Sequence, residues 1–287
     1  MTMATGSTRF ILTLTCADVH GLVAAVSTYL AANGAFIIES QQYGDPTTEL
    51  FFMRVVGRSP EVQITDLRNK FAGLANDFGM TWTIADAAIK PRILIGVSKF
   101  GHCLNDLLHR WSSGALPVDI VGVFSNHETM RKVTEWHSVP YHYLPVNKDT
   151  KAAQEKRILE LVIQSSADLV VLARYMQILS EEMCQKLSWR CINIHHSFLP
   201  SFKGAKPYHQ AHDHGVKLIG ATAHFVTSNL DEGPIIEQAA ERVHHGMTAE
   251  DLVAIGCDIE AQVLARAVRW WAERRIFPNG NKTVVFT

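Results

Sequence analysis

The sequence lacks the features that would direct a chain to a membrane, to nucleic acid or to a disulfide-bonded fold. Its 287 residues contain no apolar run near the roughly 20 residues of a membrane helix, and the N-terminus does not resemble a signal peptide. The net charge is −1 without a charged run, so we expect neither nucleic-acid nor membrane partners. Five cysteines without CxxC spacing predict reduced thiols in a cytoplasmic protein.

Apolar residues make up 47% of the chain, enough for one large domain or two modest ones. Within residues 1–86, alternating apolar segments and two amphipathic segments follow one another in the order βαββαβ. The first helix begins near Asp18 and ends at Asn33-Gly34, where glycine suits a left-handed cap. This order predicts a ferredoxin-like domain, and fold alone does not define its function.

Residues 87–287 alternate short, nearly continuous apolar runs with helical segments. Such runs are typical of strands buried on both faces, so we predict an α/β domain with a doubly wound, mostly parallel sheet. Residues 218–226 and 234–243 are expected to be later strands, partly antiparallel. A capping box at Thr248 and Asp251 predicts the start of a long closing helix. Ligands of such sheets bind at the carboxyl ends of the strands.

Residues 191–194 form a predicted strand that leads into a polar loop containing proline and glycine. Asn193 and His195 are two residues apart, so their side chains point to the same face. An amide can bind a developing oxyanion and an imidazole can move protons, as acyl chemistry requires. Asp231, in a later loop, is the candidate for orienting the imidazole. A buried polar cluster is the alternative interpretation of these three residues.

The motif N-I-H-x-S-x-L-P-x-F-x-G at residues 193–204, followed by L-D-x-G-P-I-I at residues 230–236, resembles the active site of folate-dependent formyl transferases and hydrolases. The resemblance covers residues 90–287. It implies hydrolysis of 10-formyltetrahydrofolate to formate and tetrahydrofolate, with water as acceptor and without metal or other cofactor. It also implies a role in balancing the one-carbon pool and supplying formate for purine synthesis.

The same resemblance implies which residues bind the folate. The segment 172–179 is similar to the loop that surrounds the pteridine in this family, and Met183, Cys184 and Cys191 fall at further wall positions. Ordinary core packing is the alternative for the apolar members. The residues expected to bind substrate are Leu172, Arg174, Met176, Gln177, Ile178, Leu179, Val226, Thr227 and Gly233.

A formyl transferase acting on a ribonucleotide or an aminoacyl-tRNA is the alternative function. Transferases that formylate glycinamide ribonucleotide carry a glycine-rich phosphate loop after the first strand. This chain has Ser98-Lys99-Phe100-Gly101 there, which is a poor phosphate nest and favours water as acceptor. We expect Lys99 and Phe100 to fill that end of the cleft. The 14 histidines suggest zinc, but no standard ligand spacing is present, so no metal site is predicted.

Residues 16–23 resemble the D-x-x-G-[LIV]-[VL] turn of ACT domains. An ACT domain joined to a formyl hydrolase domain is an arrangement found in the hydrolysing members of the family. The resemblance implies pairing into a homodimer or homotetramer and an amino-acid effector, for which we predict glycine or methionine. Pairing without any ligand is the alternative. The expected effector-binding residues are Asp18, Gly21, Leu22, Asn33 and Gly34.

Overall fold

The structure is a computed structural model that describes residues 8–60, 62–198 and 207–287. The part of the predicted motif from Leu199 to Gly204 lies outside the described residues. The chain forms two compact units. The first contains the described residues up to Lys90 together with Arg274–Gly280 and Val284–Thr287, and the second contains Pro91–Glu273 and Asn281–Thr283.

The first unit has the predicted βαββαβ order. Its four strands form an antiparallel sheet in the order β2-β3-β1-β4. Alternate residues of β1, such as Phe10, Leu12 and Leu14, are buried, and they join Phe71 and Leu30 of the helices in one core. The elements are β1 (Thr8–Ala17), α1 (Leu22–Ala32), β2 (Phe36–Asp45), β3 (Leu50–Ser59), α2 (Ile64–Asp77) and β4 (Thr81–Asp86).

The end of the chain belongs largely to the first unit, whereas the sequence placed all of residues 87–287 in one domain. Phe277 and Phe286 pack around Phe52, and the Asn279 amide donates a hydrogen bond of 2.7 Å to the Asp45 carboxylate. The short segments here carry too few residues for a periodic pattern, which is why the sequence did not reveal this packing. The elements are β12 (Ile276–Asn279) and β13 (Lys282–Val285).

The second unit contains the predicted mostly parallel sheet. Its seven strands lie in the order β11-β10-β9-β8-β5-β6-β7, and β10 and β11 are antiparallel. The elements are β5 (Arg92–Val97), α3 (His102–Ser112), β6 (Asp119–Ser125), α4 (Arg131–Trp136), β7 (Tyr141–Tyr143), α5 (Lys151–Gln164), β8 (Leu169–Leu172), α6 (Glu181–Lys186), β9 (Cys191–His195), α7 (Pro207–Asp213), β10 (Leu218–Phe225), β11 (Ile235–Arg242) and α8 (Ala249–Ala272).

The strand order reverses at β5, because β6 and β7 lie on one side of it and β8 and β9 on the other. Loops leaving β5 and β8 in opposite directions open a crevice at their carboxyl ends. Two hydrogen bonds tie these ends together: the Ser98 amide donates to the Arg174 carbonyl over 3.1 Å, and the Met176 amide donates to Ser98 Oγ over 3.0 Å. The topology therefore places the two loops side by side.

Helix α8 is the closing helix that the sequence predicts. Its capping box is present, with Thr248 Oγ1 accepting from the Asp251 amide and the Asp251 carboxylate accepting from the Thr248 amide. The buried face carries Leu252, Ile259 and Val263, and also the charged Glu260. Among the described residues, no helix is long and apolar enough to cross a membrane.

Candidate active site

A cavity of about 250 Å³ lies at the carboxyl ends of β8 and β9 and the end of β10 that leads into the loop after Phe225. The predicted catalytic residues and eight of the nine predicted substrate-binding residues line this cavity. The lining residues are Leu172, Arg174, Tyr175, Met176, Gln177, Ile178, Leu179, Cys184, Asn193, Ile194, His195, His196, His224, Val226, Thr227, Ser228, Asn229, Leu230 and Asp231.

The two predicted groups on β9 are presented together. Asn193 and His195 alternate with the buried Ile194, as a strand requires. The antiparallel register with β10 sets His224 opposite Asn193 and Thr222 opposite His195. The strand pairing therefore fixes which side chains of β10 can reach the predicted site.

His195 and Asp231 form the predicted pair. Nδ1 of His195 lies 3.2 Å from Oδ2 of Asp231, and Nε2 is buried with no hydrogen-bond partner. Asp231 has φ of 57°, a left-handed conformation that aspartate tolerates better than most residues. Burial opposes the carboxylate charge, but the hydrogen bond with the neighbouring His195 imidazole holds the pKa of Asp231 well below its ordinary range. The contact uses Nδ1 of His195 and leaves its Nε2 without a hydrogen bond.

His224, one of the 14 histidines for which the sequence predicted no metal site, is a further member of the site. Its Nδ1 lies 2.9 Å from the Phe225 carbonyl, so in the neutral ring Nδ1 carries the proton and Nε2 accepts. Nε2 lies 3.3 Å from Nδ2 of Asn193 and 3.6 Å from Oδ1 of Asp231. One amide hydrogen of Asn193 can therefore bond to His224, and the other remains available for a developing oxyanion.

The remaining predicted wall residues divide into two groups. Cys184 and Val226 line the cavity, whereas Met183 and Cys191 belong to the apolar core of the second unit. Gly233, predicted to bind substrate, does not line the cavity. It packs closely against the end of β10, since a Cβ atom there would lie 1.7 Å from the Phe225 carbonyl oxygen. Its small size lets the loop approach the end of β10.

Glu260 of α8 organises a second polar group beside the cavity. It is 1% exposed, and its Oε2 lies 2.8 Å from His102 Nε2 and 3.4 Å from Arg174 Nε. Its Oε1 accepts a 2.8 Å hydrogen bond from the Tyr208 hydroxyl. Gly256 makes room for that ring, because a Cβ atom there would lie 2.1 Å from it. The stacked rings of His195 and His196, whose centroids lie 5.0 Å apart, also line the cavity.

The charges of this group follow from its contacts. Burial opposes a charge on His102, but hydrogen bonds with Cys103, Cys257 and Glu260 raise its pKa to about 12. Burial likewise opposes the Glu260 carboxylate, yet the hydrogen bond from His102 and the charge of Arg174 lower its pKa. In contrast, burial and the nearby charges of Arg174 and His195 lower the pKa of His196 to about 4.

Within the part of the chain that the structure describes, His102, Cys103 and Glu260 are the three potential metal donors that lie within 4.8 Å of one another. Both Glu260 oxygens accept hydrogen bonds from protein donors, and burial raises the pKa of the Cys103 thiol. A metal ion binds a deprotonated thiol and free carboxylate oxygens. Here the thiol is neutral and both carboxylate oxygens already accept hydrogen bonds, so these residues form a hydrogen-bonded group and do not fit a metal site.

Lys99 and Phe100 lie outside the cavity lining, contrary to the prediction that they fill one end of the cleft. Phe100 is 56% exposed, and its ring centroid lies 5.6 Å from the Arg174 guanidinium carbon. It covers the Arg174 side chain, which itself lines the cavity.

The predicted effector residues lie at opposite ends of α1. Gly21 is the N-cap with φ of 91°, and Leu22 is buried. Asn33 is the C-cap, and its side chain bonds to the Tyr29 carbonyl and to Lys70. Eleven helical residues separate these ends by roughly 16 Å. One small amino acid therefore cannot touch both groups within one chain.

Residues 91–268 match the formyl transferase family. A formyltetrahydrofolate deformylase of Corynebacterium sp. (strain P-1) is 50% identical over 279 residues, which cover 96% of this chain and 98% of that protein. The crystal structure of a formyltetrahydrofolate deformylase from Burkholderia mallei matches with a TM-score of 0.94 at 51% identity, covering 98% of this chain and 100% of that one.

A glycinamide ribonucleotide transformylase from Symbiobacterium toebii matches less of the chain. Its TM-score is 0.65 at 32% identity, and it covers 69% of this chain. The fold and the site thus define a formyl transferase-type enzyme class. Within that class, the similarity over the whole length is to the deformylases, and the chain belongs to the formyltetrahydrofolate deformylase family.

Proposed function

We propose that this protein hydrolyses 10-formyltetrahydrofolate to formate and tetrahydrofolate. The observation that carries the proposal is the full-length similarity to formyltetrahydrofolate deformylases combined with the grouping of Asn193, His195 and Asp231 in one cavity. The apolar residues Leu172, Cys184 and Val226 support a site for a flat heterocycle, and the polar edge supports acyl chemistry at its end.

In the proposed mechanism, water attacks the formyl carbon and the carbonyl electrons move to oxygen. The free amide hydrogen of Asn193 and a protonated Nε2 of His195 donate to that oxyanion. The water loses two protons in the reaction: one is relayed through Asp231 and His195 to N10 as the C–N10 bond breaks, and the other passes to solvent as formate leaves. Asp231 holds His195 through Nδ1 and keeps Nε2 directed to the reacting group, in agreement with their 3.2 Å contact.

Formate release without any acceptor tests the proposal. The purified chain is incubated with 10-formyltetrahydrofolate alone, and formate and tetrahydrofolate are measured. We expect both products in equal amounts, because water is the acceptor. Formate transfer that appears only after addition of glycinamide ribonucleotide or charged tRNA would instead establish the alternative transferase function.

For the first unit we propose an ACT-type domain that pairs subunits into a dimer or tetramer and binds glycine or methionine. The βαββαβ order and the residues around Gly21 support this proposal. The ends of α1 are separated, so a ligand contacting both Asp18 and Asn33 would bridge two copies. Calorimetry of the full chain with each amino acid, and with lysine as a control, should show binding of one of the two together with changed formate release. If neither binds, pairing of subunits is the remaining role, and sedimentation measures it.

A further inference from the structure

Arg174 is an unusual residue for its position in the cavity. It follows β8 with φ of 64°, a left-handed conformation that costs an arginine free energy. Its carbonyl accepts a hydrogen bond from the Ser98 amide, which holds the backbone in place. The structure therefore keeps the guanidinium in the cavity wall in spite of an unfavourable backbone conformation.

The guanidinium lacks the hydrogen-bond partners that a buried arginine normally has. The side chain is 11% exposed, and its Nε and Nη1 atoms are buried without a hydrogen bond. The contact to Glu260 joins Nε at 3.4 Å, and the Phe100 ring covers the group. Because buried donors without partners are costly and rare, these donors indicate a missing acceptor.

The charges around Arg174 identify the kind of acceptor. Glu260 is the carboxylate that faces it, and the same carboxylate is bonded to His102, whose raised pKa keeps it cationic. Two cations thus share one anion, with neutral Tyr208, Cys103 and His196 beside them. The group of Arg174, His102 and Glu260 therefore carries one net positive charge, while the ionised Asp231 of the same cavity is paired with His195.

We infer that Arg174 is the formate-binding residue of this cavity, held by Glu260 and Phe100 so that its free N–H groups receive the carboxylate product. The inference rests on the proposed function, because hydrolysis of the neutral formyl group produces the formate anion. Hydrolysis forms a new C–O bond and breaks the C–N10 bond, so the product carries a carboxylate that the substrate lacks. Nε faces Glu260, whereas the buried Nη1 group has no hydrogen-bond partner and can donate a charge-assisted hydrogen bond to that carboxylate. Arg174 would therefore bind product and leave the folate ring to the apolar wall.

Product inhibition by formate provides the test, using the full chain with Arg174→Met and Arg174→Lys. The matched control is Arg157→Met, which removes the same group from an exposed ion pair with Glu160. Initial rates at increasing formate give the inhibition constant, NMR with ¹³C-formate gives binding without turnover, and calorimetry gives the affinity for tetrahydrofolate. Thermal unfolding midpoints check that the variants are folded.

We expect Arg174→Met to weaken formate binding about 10- to 100-fold, as for other hydrogen bonds to charged groups. Arg174→Lys should fall between that variant and the wild type, because it keeps the charge and loses the donor at the position of Nη1. The Arg157→Met control should match the wild type, and any loss of tetrahydrofolate affinity in Arg174→Met should be smaller than its loss of formate affinity. Wild-type formate affinity in a folded Arg174→Met protein, or in Arg174→Lys if the first variant does not fold, overturns the inference.

The two proposals fail differently. If the wild type releases no formate without an acceptor, the hydrolytic function is wrong. If it releases formate, but formate binds equally well without the Arg174 guanidinium, the function stands and Arg174 only packs the cavity wall.

Discussion

Two carboxylates lie in or beside the cavity, the partly buried Asp231 and the buried Glu260, and their surroundings differ. Asp231 lies on a loop, is paired with His195 and His224, and is 20% exposed at its side chain. Glu260 lies on α8, is 1% exposed, and bonds to His102 and Tyr208. Asp231 contacts His195, whose Nε2 has no hydrogen-bond partner. Both oxygens of Glu260, in contrast, accept hydrogen bonds.

The different surroundings of Asp231 and Glu260 indicate that the two carboxylates have different roles. A carboxylate that orients an imidazole with a free Nε2 serves the reaction, and it can change without loss of the core. A carboxylate that neutralises cations inside the core serves the position of those cations, and its removal leaves buried charge unpaired. Substitutions at five residues test this distinction.

The largest effect is expected at His195. In the proposed mechanism this residue donates to the oxyanion and moves protons, so turnover of His195→Ala should fall by about 10²–10⁴-fold. The comparison is His212→Ala, because His212 is exposed and contacts Asp213. Formate release by both variants measures the effect. Turnover of His195→Ala near that of His212→Ala would remove His195 from the mechanism.

Asn193→Ala should lower turnover by about 10²–10³-fold, the usual loss for an oxyanion donor. Binding of a non-hydrolysable folate analogue should largely survive, since the amide is needed for charge that develops during the reaction. Calorimetry with the analogue and rate measurements separate the two effects. Equal losses in affinity and turnover would instead assign Asn193 to ground-state binding.

Asp231→Asn and Glu260→Gln should have opposite profiles. The first should lose turnover while its thermal unfolding midpoint stays near the wild type. The second should lose stability by about 3–5 kcal/mol, the cost of breaking a buried ion pair. Rates and unfolding midpoints are measured for both proteins. A destabilised Asp231→Asn with a stable Glu260→Gln would reverse our assignment of the two carboxylates.

The smallest effect concerns pH and His102. Its pKa is raised from 6.5 to about 12 in the folded protein, so its charged form contributes stability that is fully present below pH 6.5 and is lost as the pH rises toward 12. The stability difference between wild type and His102→Gln should therefore be largest near pH 6 and shrink at pH 9. Unfolding midpoints across this range provide the measurement, and a constant difference would mean that folding leaves the pKa of His102 unchanged.

The sequence predicted the architecture where patterns repeat over many residues. The βαββαβ unit, the parallel strands and the capped helix α8 all follow from periodicity and capping residues. Asn193, His195 and Asp231 were predicted together because a strand end and a motif relate them, and the structure brings them into one cavity. Their catalytic roles remain predictions.

The contributions of Glu260 and His224 depend on tertiary pairing that no local pattern records. Glu260 lies within an amphipathic stripe whose apolar members dominate the pattern, and its partners come from α3, α7 and the loop after β8. His224 reaches the site through the antiparallel register between β9 and β10. The packing of Phe277 on Phe52 likewise joins distant parts of the chain.

The origin of the new oxygen in formate tests the central claim that water is the acceptor. A single turnover of 10-formyltetrahydrofolate is run in ¹⁸O-labelled water without any other acceptor, and the formate is analysed by mass spectrometry. The account predicts formate with one oxygen from the solvent and one from the formyl group. Formate without solvent oxygen, or a formyl group found on another molecule, would contradict it.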